Sequence, residues 1–285
     1  MKKTTTLFSS AALKIIALLT MTIDHLAIFL YDASFITAYE YIPLRVIGRL
    51  AFPLFAFMIV EGVLHTKNLK QYLLRLALML GIILSFEFFA GLTGFFLNTG
   101  NIFIDLLTGA LLISFINQPK LKNSWMILPT FYLIFLTLAD FGLFNLTMPR
   151  YLYPQYNIFG TMLMVGFFLA SRLSQTFAGI IAKRYQMDVD GFMLVEQYQV
   201  MRNILSCVSL LFVTLVWYIL SVVNRDFDIM NMAIQSYAIL AGFALIFYSG
   251  KRGYHAKWFQ YGSYLYYPLH LIALYGIFQI INLIN

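Results

Sequence analysis

The sequence LKIIALLTMTIDHLAIFL at residues 13–30, followed by PLRVIGRLAFPLFAFMIVEGVLH at residues 43–65, decides the fold class. Each segment is apolar over roughly the 20 residues that a helix needs to cross a bilayer. Both nevertheless contain ionisable side chains, namely Lys14, Asp24, His25, Arg45, Arg49, Glu61 and His65. An Asp, Lys or Arg inside a membrane helix costs about 2.5–3.5 kcal/mol, so such residues usually face an interior cavity in which they act. The two segments therefore predict membrane-spanning helices that carry a functional site.

The composition of the whole chain agrees with this expectation. Of the 285 residues, 61% are hydrophobic and only 11% are charged, and the mean hydropathy is +0.80. A soluble domain carries about 25% charged residues. Because the apolar runs are continuous and do not alternate as barrel strands do, the sequence predicts an all-α, polytopic transmembrane helix bundle.

We expect nine spans, because nine apolar segments approach the length of about 20 residues that crosses a bilayer. They lie at about 11–31, 46–65, 71–92, 101–117, 124–142, 156–173, 203–223, 232–249 and 258–282. A cytoplasmic N-terminus puts all but four of the 19 Lys and Arg residues inside, the exceptions being Arg45, Arg49, Arg150 and Arg225. This positive-inside pattern predicts a multi-pass protein of a bacterial-type cytoplasmic (plasma) membrane with its C-terminus outside. It also explains the net charge of +7 without nucleic acid as a partner.

Residues 176–202 mix charged and apolar side chains. They predict a cytoplasmic amphipathic segment on the membrane surface, either held by anionic lipid or acting as a lid over a cytoplasmic mouth. A tenth membrane element within this segment stays open. Since the chain has no internal repeat and no low-complexity linker, residues 1–285 are expected to form a single membrane-embedded domain.

Lys14 and His25 are expected to face the same cavity. Eleven residues of helix separate them by about 16 Å along the axis and by three turns plus only about 20° around it. Lys14 then lies at the inner boundary, where it can meet an anion, and His25 lies near the middle of the membrane. Because a neutral histidine acts as a general base near neutral pH, His25 is a candidate catalytic residue.

Asp24 points about 100° away from His25 on the same helix. We therefore expect it to pair with Arg45 or Arg49, which lie four residues apart on one face of the second span. The pair is either part of a catalytic site or a structural buried ion pair.

The second span holds Pro53 in its interior, which predicts a kink, and carries Glu61 and His65 at its inner end. These two residues either share a cytoplasmic-side network with Lys14 or hold the first two spans together. No His-x-x-x-His, Cys-x-x-Cys or ordered set of carboxylates is present, so we expect no metal site.

Two features mark the last third of the chain. The basic loop YSGKRGYHAKW at residues 248–258 carries Lys251 and Arg252, and it either cradles phosphates or only anchors the inner side. In YLYYPLHLIALY at residues 264–275, His270 follows a proline near the middle of the last span. His270 is a second candidate for proton chemistry, the alternative being a hydrogen bond at a helix kink.

Several of these stretches together resemble the TraX family, whose namesake is the conjugation protein that N-acetylates pilin. They are LKIIALLTMTIDH, PLRVIGRLAFPLFAFMIVEG with the following HTKN, SGKRG and YPLHL, which coincide in order from Leu13 to about Tyr275. The Leu13–His25 run also resembles the first span of the broader membrane-bound acyltransferases, whose signature is Arg-x10-His. Here Lys14 replaces that arginine, which keeps the charge but loses the bidentate fork.

The resemblance implies that His25 is the catalytic base and that Lys14, Lys251 and Arg252 bind the phosphates of an acyl-CoA. Lys67 and Arg75, also basic and predicted on the inner side, are further candidate ligands for this donor. Five more positions match the family motifs and take their roles from chemistry alone: Asp24 and His270 as catalytic groups, and Arg45, Arg49 and Glu61 as substrate-binding or structural support.

The expected function is transfer of an acetyl group from cytoplasmic acetyl-CoA to an amine or hydroxyl at the outer side of the membrane. The acceptor is either a pilin-like protein or a surface glycan or other polymer. His25 acts either as a base or as a covalent carrier of the acetyl group. The alternatives are a proton-coupled transporter or flippase that uses Asp24, His25 and His270, and an assembly scaffold for surface fibres.

Overall fold

A computed structural model gives the fold and describes residues 6–92, 100–117, 127–140, 149–225, 228 and 231–284, with the backbone alone at 90, 140 and 278–284. Across these ranges the regular structure is helical and contains no strand. The α-helices are α1 (Ser10–Asp32), α2 (Ala38–Gly48), α3 (Ala51–His65), α4 (Leu69–Leu92), α5 (Ile102–Asn117), α6 (Ile127–Asp140), α7 (Asn157–Tyr185), α8 (Val189–Met193), α9 (Glu196–Val223), α10 (Met232–Gln235), α11 (Gly242–Ile246) and α12 (Lys257–Ile284). Two 3₁₀ helices lie at Arg150–Leu152 and Ser236–Ala241.

Within the described residues, five helical segments are long and apolar enough to cross a membrane. They are Ser10–Asp32, Ala38–His65, Leu69–Phe89, Asn157–Tyr185 and Glu196–Val223. Three shorter apolar segments lie at Ile102–Asn117, Ile127–Ala139 and Met232–Ile246, and α12 is 28 residues long. The prediction of an all-α chain with several membrane spans is confirmed. The count of nine spans and the cytoplasmic side of the N-terminus stay predictions.

The contacts of the chain form two compact units. The single membrane-embedded domain stays a prediction. The first unit comprises Met1–Phe55 and Leu169–Asn285, and the second comprises Ala56–Phe168. In the first unit α1 packs against both α2 and α12, and α9 packs against α11. In the second unit α5 packs against α4 and α6.

The predicted second span is interrupted between α2 and α3. Its helix begins at Ala38, eight residues before the predicted start, and breaks at Arg49 and Leu50. Pro53 is the third residue of α3 and has no N–H to donate to the carbonyl of Arg49. In place of the predicted kink, the helix therefore breaks four residues before the proline. Arg49 forms the C-terminal cap of α2 at this break.

The segment 176–202 differs from the predicted surface helix. Helix α7 continues to Tyr185 and α9 begins at Glu196, so the ends of the segment belong to two long helices. Between them lies only α8, which has five residues and is too short to form a tenth span. Asp188 caps α8 by accepting the N–H of Gly191 at 2.7 Å.

Candidate functional site

One face of α1 carries two of the predicted site residues, Lys14 and His25, and packs against α12. Lys14 Nζ lies 5.7 Å and 5.8 Å from the ring centres of Phe259 and Tyr264 on α12. His25 contacts His270, which also lies on α12. The prediction that Lys14 and His25 share one face of α1 is confirmed. Eleven residues place them three turns apart on the same side of the helix.

His25 and His270 form a hydrogen bond between the two helices. Nδ1 of His25 lies 2.7 Å from Nε2 of His270, and Nδ1 of His270 lies 2.8 Å from the backbone oxygen of Tyr266. His270 is buried and His25 is partly buried. The sequence singled out each histidine separately but did not predict that they meet.

The backbone carbonyl of Tyr266, at the end of this series of hydrogen bonds, determines which ring nitrogens of the two histidines carry a proton. A carbonyl only accepts, so Nδ1 of His270 donates to Tyr266 and, in a neutral ring, Nε2 of His270 must accept. His25 then donates through Nδ1, and its Nε2 carries a free lone pair. A histidine held in one tautomer by a hydrogen bond to its other nitrogen is suited to act as a base or a nucleophile.

A second contact between the same helices holds the two rings in register. The Tyr266 hydroxyl lies 2.7 Å from Oγ1 of Thr22, and Thr22 donates its own proton to the carbonyl of Leu18 at 2.9 Å. Tyr266 therefore donates to Thr22. Its ring also stacks on His270, with the ring centres 5.2 Å apart. Neither Thr22 nor Tyr266 was predicted, because a threonine or a tyrosine in an apolar helix carries no charge to explain.

Asp24 is turned about 100° from His25 around α1 and binds both arginines of α2. Its Oδ2 accepts from Nη1 of Arg45 at 2.6 Å, and Nη2 of Arg49 lies 2.5 Å from each of its carboxylate oxygens. The predicted pairing is confirmed. All three side chains are mostly withdrawn from solvent, with 8–17% of their surface exposed. We call these residues the Asp24 cluster, and with two guanidinium groups and one carboxylate it carries one net positive charge.

Gly48 and Gln235 lie next to the Asp24 cluster, and neither was predicted from the sequence. A Cβ atom at Gly48 would lie 2.1 Å from Oδ1 of Asp24, so only glycine lets the carboxylate approach α2. Gln235, at the end of α10, accepts from Nη1 of Arg49 at 3.0 Å through its side-chain oxygen. A polar residue within the apolar segment 232–249 was the available signal for Gln235.

The basic loop lies against the beginning of α1. The N–H of Ser10 donates to the carbonyl of Lys251 at 2.8 Å, and the N–H of Ala11 donates to that of Arg252 at 3.1 Å. Gly253 has a φ of +69°, and a Cβ there would lie 2.2 Å from Oγ of Ser9. The loop thus closes tightly on the start of the helix and places Lys251 and Arg252 beside Ser10 and Ala11, about one turn before Lys14.

Three positive charges lie at this end of α1, and Glu196 lies nearby, where its carboxylate accepts from the N–H of Thr6 at 3.3 Å. Lys14, Lys251 and Arg252 form no ion pair in the described part of the chain, because both ion pairs found there belong to Asp24. Lys14 is partly buried, whereas Lys251 and Arg252 are exposed. Three cations that form no ion pair, one of them beside two aromatic rings, are suited to bind a polyanion.

The remaining predicted residues belong to the second unit. Glu61 and His65 lie on α3, where Nδ1 of His65 is 3.0 Å from the backbone oxygen of Glu61. Lys67 and Arg75 are exposed, the latter on α4. A shared network of Glu61 and His65 with Lys14 stays a prediction, as do the roles of Lys67 and Arg75 toward the donor.

Comparison with known proteins agrees with the motifs. The family model of the TraX protein matches residues 9–202. The "Probable fimbrial assembly protein FimC, serogroup H1" of Dichelobacter nodosus is 29% identical over 285 residues, covering 94% of this chain and 94% of the relative. No solved structure matches. Because the family match extends over more than half of the sequence, the resemblance is confirmed and the chain belongs to the TraX protein family.

Proposed function

We propose that this protein is a membrane-embedded acyltransferase that moves an acetyl group from cytoplasmic acetyl-CoA to an amine or hydroxyl at the outer side of the membrane. The observation that carries the proposal is the hydrogen-bonded chain from the Tyr266 carbonyl through His270 to His25. It leaves Nε2 of His25 as a basic nitrogen in a helix that is long and apolar enough to span the membrane.

The reaction follows from that free nitrogen. Nε2 of His25 takes the proton of the acceptor N–H or O–H while the acceptor attacks the thioester carbonyl carbon. The carbonyl π electrons move onto oxygen and give a tetrahedral oxyanion. When the carbonyl re-forms, the carbon–sulfur bond breaks, and the CoA thiolate leaves with the proton that His25 held. The products are the acetylated acceptor and CoA thiol.

The acyl donor fits the basic end of α1. Lys14, Lys251 and Arg252 supply three positive charges for the phosphates of CoA, and Phe259 and Tyr264 supply aromatic surface. Lys14 is eleven residues, or about 16 Å of helix, from His25. A donor bound at this end therefore needs an arm of about that length for its thioester to reach His25.

The acceptor follows from the family and its relative. The Dichelobacter nodosus relative is named as a probable fimbrial assembly protein. We therefore propose a pilin-like protein as the first acceptor to test, with a surface glycan or other polymer as the second.

The test uses purified protein in lipid vesicles, acetyl-CoA as donor and ethanolamine as a small acceptor with an amine and a hydroxyl. Wild-type protein should release CoA thiol and form acetylated ethanolamine. His25→Ala should abolish both while leaving acetyl-CoA binding unchanged, and His65→Ala, an exposed histidine on α3, should behave as wild type. Full activity of His25→Ala would overturn the assignment.

A proton-coupled transporter is the second candidate, because the His25–His270 hydrogen bond is also a path for a proton. Such a protein would move a solute or lipid in vesicles without acetyl-CoA. Flux that persists without the donor and is lost in His25→Ala would favour the transporter.

A further inference from the structure

Gln235 is a buried amide whose orientation is determined by its neighbour. Only 1% of its surface is exposed, and its side-chain oxygen accepts from Nη1 of Arg49 at 3.0 Å. A guanidinium group only donates hydrogen bonds. The oxygen of Gln235 must therefore face Arg49, and its NH₂ group must point elsewhere.

Two buried donors of this region have no acceptor. Neither Nε2 of Gln235 nor Nε of Arg45 has a hydrogen-bond partner, although both atoms are shielded from solvent. Most buried polar groups in proteins are satisfied, and an exception calls for an explanation such as a bound ligand. Here the missing partner must be an acceptor.

The net charge around these two donors indicates which kind of hydrogen-bond acceptor would bind there. The Asp24 cluster has one net positive charge, and Asp24 directly precedes His25 in α1. A site with free N–H donors and surplus positive charge favours an oxygen that carries negative charge. In acyl transfer, such an oxygen forms on the carbonyl under attack.

We propose that Gln235 and Arg45 donate hydrogen bonds to the oxyanion of the tetrahedral intermediate. The inference rests on the proposed acyltransferase function and deepens it. As the acceptor attacks, the carbonyl π electrons move onto oxygen, where Nε2 of Gln235 and Nε of Arg45 receive the charge. When the carbon–sulfur bond breaks, the same electrons re-form the carbonyl, so neither residue gains or loses a proton.

The test measures CoA release from acetyl-CoA with two small acceptors, ethanolamine and glycine, of which only glycine has a carboxylate. Gln235→Glu keeps an oxygen that accepts from Arg49 but removes the N–H donors. Gln235→Leu removes the oxygen as well as the N–H donors. Arg45→Lys keeps a cation for Asp24 without the Nε donor. Gln175→Glu is the matched control, because Gln175 also accepts from Nη1 of an arginine, Arg172, but on an exposed surface.

Each Gln235 variant should lower kcat by about 100-fold to 1,000-fold with both acceptors, as loss of an oxyanion donor does elsewhere. Acetyl-CoA binding and the control should stay as in wild type. If Gln235→Leu fails to fold, Gln235→Glu decides the question. A loss confined to glycine would assign the donors to an acceptor carboxylate and overturn the proposal, as would wild-type kcat in Gln235→Glu.

Failure of the proposed function would look different. Wild-type protein would then release no CoA from acetyl-CoA with any acceptor, and the oxyanion role would fall with it. If instead release occurs and depends on His25 but not on Gln235, the acyltransferase stands and only the oxyanion role is lost.

Discussion

His25 and His270 are 245 residues apart in the chain, yet Nδ1 of the first lies 2.7 Å from Nε2 of the second. Helix α12 thereby supplies the acceptor that sets the tautomer of a histidine on α1. The second nitrogen of His270 is anchored to the Tyr266 carbonyl at 2.8 Å, so the orientation does not depend on solvent. The arrangement makes His270 a positioning residue for His25.

Replacing His270 should slow transfer without weakening donor binding. His270→Leu leaves Nδ1 of His25 without an acceptor, so the ring can adopt the other tautomer. We expect CoA release to fall by at least about 10-fold, since loss of the orienting group in a catalytic triad costs up to about 10⁴-fold. His270→Gln should recover part of the rate, because an amide can both accept from His25 and donate to the Tyr266 carbonyl.

Nitrogen-15 NMR of His25 checks the cause of that effect. In wild-type protein the signal should show an unprotonated Nε2, and in His270→Leu a mixture of tautomers. Equal rates and equal spectra in the two proteins would mean that His270 does not orient His25.

Removing the carboxylate of the Asp24 cluster should destabilise the fold. Asp24→Asn leaves Arg45 and Arg49 without their anionic partner at a buried site, which costs about 3–5 kcal/mol in comparable cases. The free energy of unfolding, measured by titration with denaturing detergent, should drop by that order. Asp190→Asn changes an exposed carboxylate on α8 and should have little effect. Equal losses in the two variants would rule out a special role for the Asp24 cluster.

Gly48 should tolerate no side chain. The methyl group of Gly48→Ala would overlap Oδ1 of Asp24, which two arginines already hold in place. We expect a loss of about 1–3 kcal/mol in the free energy of unfolding, typical of overpacking. Gly81→Ala on α4 is the control, because a Cβ there meets nothing within 4 Å. A Gly48→Ala protein as stable as the control would show that α1 and α2 can move apart at no cost.

Neutralising the basic end of α1 should weaken donor binding. Lys14→Gln and Arg252→Gln should each raise the Kd of acetyl-CoA by about 10-fold, equivalent to about 1.4 kcal/mol, and reduce its dependence on salt. Calorimetric titration at two salt concentrations measures both effects. Lys183→Gln, at the end of α7, is the control.

The same titration decides the roles of two residues in the second unit. If Lys67→Gln and Arg75→Gln weaken binding as strongly, these two residues are also ligands of the donor. If only the first-unit variants do, binding is confined to the basic end of α1. Unchanged binding in Lys14→Gln and Arg252→Gln would contradict the proposed phosphate site.

Properties that depend on neighbours along the chain were predictable without the structure. Continuous apolar runs predict membrane helices because hydropathy is a local property. Helical periodicity placed Lys14 and His25 on one face and turned Asp24 away from them. The pairing of Asp24 with Arg45 and Arg49 was predictable as well, because a carboxylate in an apolar helix needs a nearby cation and the next span supplies two.

Which distant residues complete the site became visible in the packed helices alone. The pairing of His25 with His270, the contact of Gln235 with Arg49 and the docking of the loop at Lys251 on Ser10 all join residues that lie far apart in the chain. Apolar helices can pack in many ways with similar burial, so composition does not choose among them. The choice is made by a few polar contacts whose geometry exists only in the packed state: a carbonyl that orients one histidine, a second histidine that orients the first, and a glycine that lets a carboxylate reach two arginines.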